Sequence, residues 1–158
     1  MAWVRILVDG FSLLHGWPEL APGNPRHSAV AREELIHRLT RYHDACETPI
    51  TIVFDAAGSK RDADETPSTS GVEILYSRDG QTADQIIERA AYRLKSYGDV
   101  LVVTDDLAER ETVTSFGCLT SSCENFVQQV ETDLADLHRQ LEALNLRERK
   151  QFGSARGL

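Results

Sequence analysis

The chain has 158 residues, 41% of them apolar and 27% charged, which suits one globular domain with a core of its own. Its net charge of −8 excludes a generally basic surface that grips nucleic acid by phosphate neutralisation alone. No apolar run approaches the length of a membrane span, no leader layout opens the chain, and an odd count of three cysteines argues against a disulfide framework. A cytoplasmic protein is the expectation. Trp3 to Asp9 reads as a first, buried strand, closed by Asp9 and the turn residue Gly10. Phe11 to Leu20 carries apolar residues around Pro18, and Ala21 to His27 holds two prolines and a glycine, so this stretch reads as loop. Ser28 is a candidate N-cap for a helix from Ala29 to Cys46, where Val30, Leu35, Ile36, Leu39 and Tyr42 or His43 recur at helical spacing. Ile50 to Phe54 is a second apolar run, and it too ends in an acid, Asp55. A long polar loop from 56 to 71 follows.

Val72 to Tyr76 is a third strand, and Thr82 caps a helix with Asp84 in its first turn. Val100 to Val103 is a fourth strand, ended by Thr104, Asp105 and Asp106. A short helix from Leu107 to about Thr114 and an edge strand over Phe116 to Leu119 come next. Ser121 or Ser122 opens a last helix, whose stripe of Phe126, Val127, Val130, Leu134, Leu137, Leu141 and Leu144 reads as core. Residues 151–158 read as a disordered tail, leaving a single domain over 1–150. Strands apolar on both faces, alternating with helices, predict an α/β fold: a three-layer α/β/α sandwich around a mostly parallel sheet of four to five strands.

Parallel strands bring their C-terminal ends to one edge, and helices that follow strands begin there. Asp9, Asp55, Asp84, Asp105 and Asp106 are therefore expected on one rim. Any one of them could be an ordinary turn residue or helix cap. Together they would repel unless a cation neutralised them. Oxygen donors without His or Cys select hard ions, Mg²⁺ or Mn²⁺. Such ions serve phosphoryl transfer and phosphodiester hydrolysis. The other signals are weak. Cys118 and Cys123 lack partners for a zinc site and read as buried or half-buried thiols, and His15, His27, His37, His43 and His138 show no ligand spacing. There is no Gly-rich phosphate loop and no nucleophile elbow.

The stretch Leu7-Val8-Asp9-Gly10-Phe11-Ser12, followed by Trp17-Pro18-Glu19-Leu20, resembles the opening of NYN-domain proteins of the YacP-like group, part of the wider PIN-like nuclease fold. Val53-Phe54-Asp55-Ala56, then Thr82-Ala83-Asp84 with Glu88, then Thr104-Asp105-Asp106 with Glu109 resemble that group's later motifs. The resemblance implies a metal-dependent endoribonuclease acting on single-stranded RNA, with mRNA and the ribosome as partners and Mg²⁺ or Mn²⁺ as cofactor. It implies Asp9, Asp84 and Asp106 as catalytic metal ligands with Asp55 in support; Asp105, a metal candidate from its place on the rim, stands where the family commonly has Ser, and its role is open. Ser12, Lys60, Arg61 and Arg78 are the candidates for substrate contact. Two departures from the pattern stand out: Ser12 replaces a usual Asn, and Leu119-Thr120-Ser121-Ser122 lacks an Arg that relatives often carry. They motivate a rival reading, an RNA- or ribosome-binding module without activity. A metal-dependent phosphatase on a similar sheet is a third.

Overall fold

The computed structural model describes residues 2–55, 68 and 71–156. Lys60 and Arg61 lie outside them. The elements are β1 (Arg5–Asp9), α1 (Gly10–His15), α2 (Ala29–Cys46), β2 (Ile50–Phe54), β3 (Val72–Tyr76), α3 (Ala83–Leu94), β4 (Val100–Val103), α4 (Leu107–Ser115), β5 (Leu119–Ser121) and α5 (Cys123–Arg156), with short 3₁₀ turns at Pro18–Leu20 and Lys95–Tyr97.

The five strands form one sheet in the order β3-β2-β1-β4-β5. All four pairings are parallel, and Val8 of β1 sits opposite Ile52 on one side and Val103 on the other. The fold is the expected layered α/β arrangement. Successive residues of a strand face opposite ways, so the sheet serves two cores. Ile6 and Val8 pack with Leu35 and Leu39 of α2 and Phe126 and Val130 of α5. Leu7 and Val53 pack with Ile87 and Ala91 of α3 and Val113 of α4. From β1 the chain moves outward through β2 and β3, then returns to place β4 on the other flank of β1. That reversal opens a crevice beyond the C-terminal ends of β1 and β4, where sheets of this kind bind ligands.

Three elements differ from the sequence reading. α1 was not expected. It forms because Asp9 accepts from the Ser12 backbone N–H as an N-cap, a local bond that six residues of sequence do not advertise. β5 lies at Leu119–Ser121, past Gly117, which adopts φ 91°. α5 runs on to Arg156, where a tail was expected. Its leucine stripe is core only through Leu134. Leu141, Leu144, Leu146 and Phe152 are 50–68% exposed. No helix among the described residues is long and apolar enough to cross a membrane.

Candidate metal centre

Asp9 ends β1 at the crevice and is 7% exposed. Its Oδ2 accepts from the Ser12 hydroxyl at 2.8 Å and from the Thr104 hydroxyl at 3.0 Å. Thr104 is the fully buried residue after β4, so the two strands flanking the crevice are bonded across it. Burial raises the Asp9 carboxyl above its ordinary value, against the lowering effect of these hydrogen bonds, and the charge of Asp84 adds to the rise.

Asp84 arrives in the first turn of α3. That helix begins with a reciprocal capping box, the Thr82 hydroxyl on the Gln85 N–H and the Gln85 side chain on the Thr82 N–H. The turn is thereby fixed, and a carboxylate there also gains from the helix dipole.

Glu109 is the third group. It sits in the first turn of α4, 1% exposed, on the same helix face as buried Val113. Carboxylate oxygens of Asp9, Asp84 and Glu109 all lie within 4.8 Å of one another. Burial first, then the hydrogen bond and charge of Asp84, then the charge of Asp9 push the Glu109 carboxyl up to about 9. One oxygen, Oε2, meets the Thr104 hydroxyl at 3.1 Å. That hydroxyl has one proton and faces two carboxylates. If Asp9 takes it, Glu109 must supply a proton of its own. The other oxygen, Oε1, is buried with no donor among the described residues. Its neighbour Asp84 is itself an acceptor when ionised, so only a shared proton or a cation lets the two meet. A buried carboxylate oxygen that meets no donor among the described residues, and three converging carboxylates with no nitrogen or sulfur among them, fit a divalent cation.

Asp106 is exposed and caps α4, its Oδ1 accepting from the N–H groups of Ala108 at 3.0 Å and Glu109 at 3.3 Å. It fixes the turn that aims Glu109 inward and does not belong to the three-carboxylate group. Asp105, also exposed, accepts from the Cys123 N–H at 2.9 Å and so holds the start of α5. Asp55 accepts from the Ser77 hydroxyl at 2.8 Å at the ends of β2 and β3, and it too is outside the group. Ser12 is spent on Asp9. Arg78 is exposed in the turn before α3. Cys118 and Cys123 are free and buried, as expected. Glu109 accompanies the Thr104-Asp105-Asp106 stretch in the sequence, and the expected metal ligands do not include it. The available signal was an acid four residues before Val113, on the apolar face of a short helix.

The profile of the YacP-like NYN domain matches residues 6–155. The chain belongs to that family. This NYN domain is 28% identical over 128 residues to YacP of Bacillus subtilis (strain 168), covering 80% of the chain and 75% of the relative. The crystal structure of Rae1 (YacP) from Bacillus subtilis superposes with a TM-score of 0.75 at 25% identity, covering 92% of this chain and 84% of that one. A point mutant of the same protein gives 0.74 at 26% identity. Membership in the NYN family supports a nuclease-like, RNA-related role, and the acidic group at the crevice is compatible with it.

Proposed function

We propose that the protein is a metal-dependent endoribonuclease of single-stranded RNA. Asp9, Asp84 and Glu109 would hold Mg²⁺ or Mn²⁺ at the crevice, and Asp106 would position Glu109 through the α4 cap. The observation that carries the reading is the buried Glu109 Oε1, which lacks a donor among the described residues and lies beside two further carboxylates. A bound ion of this kind supplies Lewis acidity toward a phosphodiester and lowers the pKa of an attacking water. The protein's own part is to hold the carboxylates in place. Ser12 and Thr104 fix Asp9, and the α3 and α4 caps fix Asp84 and Glu109. One catalytic domain over residues 1–150, a cytoplasmic location, and mRNA on the ribosome as substrate belong to the same proposal.

The test uses labelled single-stranded RNA with Mn²⁺ and three proteins: wild type, Asp9→Asn and Asp84→Asn. Each substitution is expected to lower cutting by about 100-fold or more and to weaken Mn²⁺ binding in calorimetry. Equal cutting by all three would place the activity in a contaminant. A second reading, a module that binds RNA without cutting it, draws on the Ser12 hydroxyl being engaged by Asp9 and on β5 carrying no Arg. Absence of carboxylate-dependent Mn²⁺ binding would select it.

A further inference from the structure

Between α3 and α4 the surface carries a group of side chains with no role in the acidic centre. The two helices run the same way beside each other. Their first turns supply Asp84 and Glu109, and their far ends supply Tyr92 and Phe116. The two rings meet edge to face, with centroids 5.3 Å apart. Tyr92 is 67% exposed, and Tyr97, just beyond α3, is 79% exposed. Arg89 and Arg93 lie on the outer face of α3 on either side of Tyr92, and Lys95 follows. Two open hollows of about 520 and 610 Å³ share Tyr92, Arg93 and Phe116. The opposing acids are Glu88, and Asp99 at 3.6 Å from the Lys95 ammonium.

Single exposed aromatics are common on protein surfaces. Two exposed tyrosines and a half-buried phenylalanine, interleaved with arginines in a chain of net charge −8, are a different matter. The geometry points to a stacking platform for single-stranded RNA along the α3–α4 furrow. Bases would lie on Tyr92, Tyr97 and the Phe116 edge, and phosphates against Arg89 and Arg93. Aromatic faces accept any base, and nearby cations hold the backbone, which is how single strands are bound without sequence preference. The first ring of the platform, Tyr92, lies eight residues along α3 from Asp84, about 12 Å at 1.5 Å per residue. A strand lying on it would lead a few nucleotides from the acidic crevice. The inference rests on the nuclease reading for its direction, and it identifies where that site obtains the affinity its own negative charge denies it.

Binding is measured without metal, in EDTA, by fluorescence anisotropy of a 5′-labelled 15-nucleotide oligouridine. Wild type is expected to bind, more weakly as salt rises. Tyr92→Ala combined with Arg93→Ala is expected to bind about tenfold more weakly or worse, with an unchanged circular dichroism spectrum. Asp84→Asn is expected to bind at least as tightly as wild type. Equal binding by wild type and the double variant overturns the platform, as does no binding by wild type. Loss of binding in the double variant, with no RNA cutting by any protein in Mn²⁺, keeps the platform and ends the nuclease reading. Photocrosslinking of 4-thiouridine RNA to the unaltered protein gives an independent check. Adducts at Tyr92, Tyr97 or Phe116 support the platform, and adducts only elsewhere overturn it.

Discussion

Glu109 is held between two demands. The fold buries it, and the neighbouring acids oppose its ionisation. In the unfolded chain it releases its proton near the ordinary value of about 4.3. Folded, it keeps the proton up to about 9. Between those pH values the folded state therefore holds more protons than the unfolded state, and its stability falls as pH rises. Glu109→Gln removes that dependence, because an amide does not ionise. At pH 8 without metal the variant is expected to melt higher than wild type, by about 2–4 °C for each kcal/mol relieved. The two melting curves should converge toward pH 4.5. Mn²⁺ should raise the midpoint of wild type and not that of the variant. A difference that stayed constant across pH would show that ionisation of Glu109 is not its source. This residue also marks where sequence reading stopped short. That acids gather at the strand ends was legible, because a parallel sheet forces it. Which of them turn inward depends on how each helix cap closes. Asp105 and Asp106 are spent on backbone N–H groups, and Glu109, one turn later, takes the inward place.

At the scale of elements, the connection from β1 to α1 is the tightest part of the site. Gly10 follows Asp9 directly, and a methyl group added there would lie 2.5 Å from the Phe54 ring and 3.0 Å from the Val53 carbonyl oxygen. Neither the ring, buried in the core, nor the strand can retreat freely. Gly10→Ala is expected to cost about 1–3 kcal/mol, read as a fall in thermal midpoint. It should also weaken Mn²⁺ binding, since α1 can only move by carrying Asp9 with it. A variant with wild-type metal affinity would show that Asp9 is placed independently of α1. The close approach leaves no trace in sequence beyond a glycine after an acid. By contrast α2 was legible to the residue at both ends, Ala29 to Cys46. It is long and regularly apolar, and Ser28 caps it through the Ala31 N–H. Long periodic elements declare themselves, whereas α1 and β5 are too short for a period and depend on tertiary contacts.

At the scale of the whole molecule, the order β3-β2-β1-β4-β5 does the placing. Apolar runs that end in acids made the layers and the acidic edge legible. The strand order, which sets β1 and β4 side by side so that Asp9 and Thr104 share a hydrogen bond, emerges only from packing. α5 behaves differently along its length. Its first part is anchored through Phe126, Val130 and Leu134, and its second part leaves the body with its leucines uncovered. At 1.5 Å per residue its 34 residues extend about 51 Å. The outer turns are thus a spar fixed at one end, and a solitary stretch of only about four turns has little helical stability of its own in water. In hydrogen–deuterium exchange, amides beyond Leu141 should take up label orders of magnitude faster than those from Phe126 to Leu134. Uniformly slow uptake to the tip would mean that something braces it.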